Sequence, residues 1–213
     1  LDTTGRTQQK HPPAIVYRLH CVFWRNVCLH IHPAWVACCL SLLVGSQDLE
    51  RRISEQLLRF FMELCGNEEL LNQPLVAFFA SRNSPPEALM LAQQWAREIS
   101  QSDKVVISGF HSPIERAVLD ILLANNRPVI VTLGRSLYRR IPPYLQPSFE
   151  NDNLLFISFR NQNRANLNNS QLRNWATVEF AQEVIFAPFL PNSQLSSLWF
   201  FLCNGTKPAH ILQ

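Results

Sequence analysis

Short segments of this sequence combine serine, glycine and arginine at regular intervals. Ser81 and Arg82 form the first, residues 108–112 (Ser-Gly-Phe-His-Ser) the second, and Gly134 and Arg135 the third. Serine hydroxyls donate hydrogen bonds to phosphate oxygens, and arginine contacts phosphate through its forked guanidinium. Glycine lets the backbone approach a ligand closely. These residue types therefore predict a site for a phosphate-bearing ligand.

Each of these segments follows an apolar run that has the length of a buried β-strand. Strands are expected at residues 75–79, 105–107, 128–133, 154–158, 184–187 and 208–212. Strands without polar alternation, separated by helices, are typical of a parallel sheet that is covered on both faces. The expected fold class is α/β: a Rossmann-like doubly wound parallel sheet with helices on both faces.

Ligands of such sheets bind beyond the carboxyl ends of the strands, where helix N-termini offer backbone N–H groups to anions. The candidate binding residues at that edge are Ser81, Arg82, Ser108, Gly109, His111, Ser112, Gly134 and Arg135.

Helix-start signals lie at or shortly after the first two of these segments. Both Ser84-Pro85-Pro86-Glu87 and Ser112-Pro113-Ile114-Glu115 match a capping box with proline in the first turn. Ser84 and Ser112 therefore have an alternative interpretation as helix caps, and His111 has one as an exposed loop histidine. Three tryptophans lie in predicted helices and are expected in the core rather than as stacking platforms for bases: Trp95, Trp175 and Trp199.

The net charge of +3 is too small to indicate a nucleic-acid partner by itself. Arginine is nevertheless concentrated in one stretch, in which the acids are only Glu150 and Asp152. A solvated basic face is the alternative interpretation. The arginines of the stretch are Arg127, Arg135, Arg139, Arg140, Arg160, Arg164 and Arg173.

The cysteines form no disulfide framework, so a reducing cytoplasm is the expected location. Cys28, His30 and His32 match no standard zinc spacing, and we expect neither a metal nor a cofactor. The dinucleotide, Walker and G-x-S-x-G motifs are missing from the sequence, and no catalytic acid stands out. We therefore favour a binding protein over an enzyme.

The N-terminal segment, residues 1–63, is separated here from the organised domain, residues 64–213. Its apolar run, 34–44, is shorter than the ~20 residues that a membrane span needs, and no membrane association is expected. Three interpretations of this N-terminal segment stay open: it is a small helical appendage, a weak membrane anchor, or sequence that lies upstream of a true start at Met62. Apolar spacing predicts an amphipathic helix over residues 48–64.

In its C-terminal two-thirds the sequence resembles the DprA/Smf family of DNA-processing proteins. Residues 66–74 (G-N-E-E-L-L-N-Q-P) and 76–82 (V-A-F-F-A-S-R) are similar to the family's G-D/N-x-x-L-L and V-A-I-V-G-S-R. Residues 105–115 (V-V-I-S-G-F-H-S-P-I-E) are similar to its V-V-S-G-x-A-x-G-I-D. Residues 128–135 (P-V-I-V-T-L-G-R) resemble a strand and glycine turn of the family, and 154–159 followed by Arg173 and Asn174 resemble its L-x-S-E-F…R-N segment.

This resemblance implies a Rossmann domain that binds single-stranded DNA, dimerises, and helps to load a RecA-type recombinase in natural transformation. It adds Arg173 and Asn174 to the phosphate-binding residues. The sequence departs from the family pattern at Ala80, in place of a glycine, and at His111 to Glu115, where a glycine is missing. The related phosphoribohydrolases need a glycine-rich P-G-G-x-G-T loop that this sequence lacks.

Three functions follow, in order of preference. The first is non-catalytic binding of single-stranded DNA, and the second is a sensor that binds a small nucleotide in the same pocket. The third, a nucleotide hydrolase, is disfavoured because no catalytic acid can be named.

Overall fold

The computed structural model describes residues 62–159 and 167–213, which lie within the structural unit Leu57–Gln213. The predictions for residues 1–61, for the candidate metal ligands and for Arg160 and Arg164 fall outside the described residues.

The apolar runs form the strands of a mixed, mostly parallel sheet. In the described residues the strands are β1 (Glu63–Gly66), β2 (Leu75–Phe79), β3 (Val105–Ser108), β4 (Val129–Leu133), β5 (Leu154–Ser158), β6 (Glu183–Phe186) and β7 (Ala209–Ile211). Their order in the sheet is β1-β5-β4-β3-β2-β6-β7. All neighbouring pairs are parallel except β1 with β5, which is antiparallel.

Helices connect the strands and pack on both faces of the sheet. The described α-helices are α1 (Ala88–Ile99), α2 (Pro113–Ala124), α3 (Gln146–Glu150), α4 (Leu167–Phe180) and α5 (Leu195–Cys203), and short 3-10 turns occupy Glu68–Asn72 and Pro143–Leu145. None of the helices in the described ranges is long and apolar enough to cross a membrane.

Two apolar clusters, one on each face, hold the helices to the sheet. The first joins α1 and α2 to Val76 and Phe78 of β2, and the second joins α4 and α5 to Ala77 and Phe79 of the same strand. Successive side chains of a strand point to opposite faces, so β2 is buried on both sides. This confirms the predicted Rossmann-like doubly wound fold.

The tryptophans belong to these clusters, as predicted. Trp95 stacks on Phe78 with ring centroids 4.8 Å apart. Trp175 packs edge-on against Phe201, and Trp199 does the same against Phe186.

The structure corrects three expectations from the sequence. The sheet is not wholly parallel, because β1 is an antiparallel edge strand. Leu64, the expected last residue of a helix over 48–64, lies in that strand, where it pairs with Ile157 of β5. Ser84 does not cap α1: the helix begins at Ala88, and the residue at its N-cap, Glu87, makes no side-chain capping bond.

Candidate functional site

The predicted binding segments meet at one edge of the sheet. Strands β2, β3, β4 and β5 are parallel neighbours, so their carboxyl ends lie side by side. Ser81 and Arg82 follow β2, residues 109–112 follow β3, and Gly134 and Arg135 follow β4. The topology therefore gathers at one edge the residues that the sequence spreads over 55 positions, from 81 to 135.

A buried carboxylate joins the first two of these loops. Glu115 accepts hydrogen bonds from the backbone N–H groups of Ala80 (3.1 Å), His111 (2.6 Å) and Ser112 (3.0 Å). Hydrogen bonds to an ionised acceptor are stronger than neutral ones, so this side chain fixes both loops. The bond to Ser112 is half of the predicted capping box. The bond to Ala80 crosses to another loop, and nothing in the local sequence signals it.

These N–H groups are among those that an anion at this edge would use. Because Glu115 already occupies them, these three N–H groups are not available to a phosphate.

The predicted serines also bond to backbone groups. Ser112 Oγ accepts from the N–H of Glu115 at 3.1 Å, which completes the capping box at the start of α2. Ser108 Oγ is buried and accepts from Phe110 N–H at 3.3 Å, and Ser81 Oγ accepts from Asn83 N–H at 3.2 Å. Of these hydroxyls only that of Ser81 belongs to a residue that is partly exposed. Contact between these serines and a ligand remains a prediction.

Arg173 lies inside the site rather than on its surface. Its guanidinium is buried against Gly109, where an added Cβ would lie 2.6 Å from Cζ. Nε and Nη2 donate to Asn174 Oδ1 at 3.2 and 2.8 Å, while the buried Nη1 has no hydrogen-bond partner in the described residues. Burial lowers the pKa of Arg173, and the carboxylate of Glu115 opposes that shift. Glycine at 109 thus makes room for a buried cation.

An open cleft of about 520 Å³ lies next to this arrangement. The side chains of Arg82 and Arg116 are exposed and form no ion pair or hydrogen bond with any other described residue. The residues that line the cleft are Arg82, His111, Pro113, Arg116, Ala117 and Asp120.

Arg116 and Asp120 line the cleft but are not among the residues predicted from the sequence. Residues 113, 116, 117 and 120 lie on one face of α2, and their spacing of three and four was a signal that could have revealed them.

His111 borders the cleft and is partly buried. Burial, followed by the positive charges of Arg173, Arg116 and Arg82 in that order, lowers the pKa of its imidazole from 6.5 to about 4. Its Nε2 is buried and has no hydrogen-bond partner in the described residues. At neutral pH this side chain is therefore uncharged, and the cleft's positive charge comes from its arginines.

Gly134 and Arg135 form a second group, at the end of β4, and do not line the cleft. The carbonyl of Arg135 accepts from Ser158 Oγ at 2.8 Å, and its guanidinium carbon lies 5.5 Å from the centre of the Tyr138 ring. Most of the predicted residues thus divide into a cleft group (Arg82, His111), a buried group (Ser108, Gly109, Ser112, Arg173) and this β4 group. Ser81 and Asn174 are half-buried and do not line the cleft; Ser81 follows β2, and Asn174 accepts hydrogen bonds from Arg173.

The parallel sheet with helices on both faces places the chain in the Rossmann-like class of α/β domains, in which ligands commonly bind at the carboxyl edge of the strands. The family model described as DNA recombination-mediator protein A matches residues 49–187, and the chain belongs to that family. This confirms the resemblance seen in the sequence. No curated protein sequence matches the chain.

Two solved structures of DNA processing protein A (DprA) are similar in fold. The protein from Helicobacter pylori is 19% identical, with a TM-score of 0.58, and the match covers 70% of each chain. The protein from Streptococcus pneumoniae is 21% identical, with a TM-score of 0.50 over 59% of this chain. This chain spans only 45% of the S. pneumoniae protein. The H. pylori structure is described as showing a single-stranded DNA binding mode.

Proposed function

We propose that this chain binds single-stranded DNA without catalysis, with phosphates held at the cleft by Arg82 and Arg116. The observation that carries the proposal is the pair of exposed guanidiniums, which have no ion-pair partner in the described residues. Membership of the DNA recombination-mediator family and the binding described for the H. pylori protein support it. Arginines that neutralise a phosphate chain are typical of single-strand binding grooves.

The alternative of a small-nucleotide sensor receives no support from the comparisons. The structure adds a physical argument against it. A mononucleotide depends on tight binding of its phosphate, which backbone N–H groups at a helix start usually provide. At this edge Glu115 already occupies the N–H groups of His111 and Ser112, which directly precede α2.

The broader expectations from the family are part of the same proposal. They are homodimerisation, a role in natural transformation, and action with a RecA-type recombinase, and family membership supports them. We also propose a cytoplasmic location, because the cysteines of the sequence form no disulfide framework.

The test is fluorescence anisotropy of a labelled single strand of ~20 nucleotides with the full chain at several salt concentrations. Each phosphate contact contributes a slope of about −0.7 to log K against log salt, so Arg82→Ala should weaken binding and make the slope less negative by about 0.7. Arg97→Ala is the matched control, because Arg97 is an equally charged, exposed residue in the last turn of α1. Binding that is independent of salt, or equal loss in both variants, would contradict the proposal.

A further inference from the structure

The cleft extends along α2 and changes in chemical character along its length. Pro113, Ala117 and Asp120 lie four and three residues apart on one face of the helix. Seven residues of α-helix span about 10 Å. His111 precedes the helix at the N-terminal end of this face, and Asp120 lies two turns further along it.

The charges on this face are unusual for a site that binds only phosphate. Asp120 is exposed and, like Arg116 four residues before it, forms no ion pair with any other residue in the described part of the chain. An unpaired carboxylate repels a phosphate. A ligand that fills the whole cleft therefore needs an anionic group near the arginines and a hydrogen-bond donor near Asp120.

The surface between the charges is apolar. Pro113 and Ala117 contribute a ring and a methyl group to the lining, and neither carries a side-chain donor or acceptor. A flat, uncharged group fits against such a surface better than a second phosphate does.

We propose that this cleft reads a base of the bound strand, and that Asp120 is the specificity-determining residue. This inference rests on the proposed single-strand binding and names the bases that the site prefers. With a phosphate at Arg82 and Arg116, the base lies over Pro113 and Ala117 and donates a hydrogen bond to the Asp120 carboxylate. Carboxylates accept from the exocyclic amino groups of bases.

The bases differ in the hydrogen-bond donors that they present to a carboxylate. Guanine presents two adjacent donors, a ring N–H and an amino group, which can engage both oxygens of Asp120. Cytosine and adenine each offer one amino group. Thymine has no amino group, and its single ring donor lies between two carbonyl oxygens that a carboxylate repels. The expected order of affinity is guanine first, cytosine and adenine next, and thymine last.

The experiment compares a dT strand of ~20 nucleotides with the same strand carrying dG at every fourth position. Anisotropy titrations use the full chain at one moderate salt concentration. A well-placed base contact is worth ~1–3 kcal/mol, so the wild-type protein should bind the dG-containing strand about tenfold more tightly. Asp120→Asn should reduce this preference to less than about threefold and should bind the dT strand slightly more tightly, because a repulsive charge is removed.

Asp103→Asn is the matched control. Asp103 is exposed just before β3, at the opposite edge of the sheet, so its replacement changes the net charge equally without touching the cleft. It should keep the full preference for dG. Equal binding of both strands by wild type, or a preference that survives in Asp120→Asn, would overturn the inference while leaving single-strand binding intact. Failure to bind either strand would overturn both.

Discussion

The protonation of His111 makes the stability of the folded chain depend on pH. The folded chain lowers the pKa of its imidazole to about 4, through burial first and then through Arg173, Arg116 and Arg82. An unfolded chain has no such environment, and there histidine titrates near 6.5. Between these values the unfolded state binds a proton that the folded state does not, so stability falls as the pH falls through this window.

We therefore expect His111→Asn to flatten part of the pH dependence of stability. The free energy of unfolding of the wild type should drop relative to the variant between pH 6.5 and pH 4, whereas the difference between the two proteins should be constant above pH 7. Urea titrations of both proteins at half-unit pH steps measure this. Parallel curves over the whole range would show that the folded environment does not disfavour the imidazolium.

At the residue scale, the sequence predicted which arginines, serines and glycines lie at the carboxyl edge of the sheet. It did not predict the contacts that these residues make. Arg82 and Gly109 were recognisable from their positions after strands. The burial of Arg173 beneath Gly109 was not, because it depends on a contact between residues 64 positions apart. Glu115 looked like a helix cap, and its bond to Ala80 emerges only when β2 and β3 lie side by side.

At the element scale, two matching sequence signals gave different helix starts. Ser112 adopts an extended conformation before Pro113 and caps α2, and that proline occupies the first helical position, which needs no N–H. After Ser84 two prolines follow in succession, and a residue that precedes proline is disfavoured in the helical region. Pro85 therefore cannot begin a helix readily, and α1 starts at Ala88 instead.

This difference predicts unequal effects of two similar substitutions. Ser112→Ala should lower the free energy of unfolding by about 1–2 kcal/mol, because the buried N–H of Glu115 loses its acceptor. Ser84→Ala should cost no more than about 0.5 kcal/mol, since that hydroxyl only donates to the carbonyl of Ser81 and caps no helix. Urea denaturation of both variants beside the wild type measures the two values. Equal losses would mean that Ser84 stabilises α1 after all.

At the scale of the whole molecule, the parallel core could be predicted and its antiparallel edge could not. Strands β2 to β5 are fully buried, so each is a continuous apolar run that stands out in the sequence. β1 is short and half exposed, with the sequence Glu-Leu-Cys-Gly, and it carries no such run. Its partner β5 begins at Leu154, so no local pattern could indicate the pairing.

This edge strand depends on one glycine. Gly66 ends β1 with φ of +118°, a conformation that residues with a side chain rarely adopt, and an added Cβ would collide with the backbone oxygen of Leu154. The turn also brings the N–H of Asn67 within 3.0 Å of that same oxygen. Glycine here lets the chain leave β1 while it stays paired to β5, so that β1 pairs with backbone groups of β5 that would otherwise be unpaired.

Gly66→Ala should therefore lower the free energy of unfolding by about 2 kcal/mol or more, through strain and a lost strand contact. Gly205→Ala is the matched control, because a Cβ there meets its nearest neighbour at an ordinary 3.5 Å. Thermal and urea unfolding of both variants measure the difference. Single-strand binding by folded Gly66→Ala should match the wild type, since the cleft lies on β2, β3 and α2 rather than at this edge. If Gly66→Ala were as stable as the wild type, the pairing of β1 with β5 would not depend on glycine at position 66.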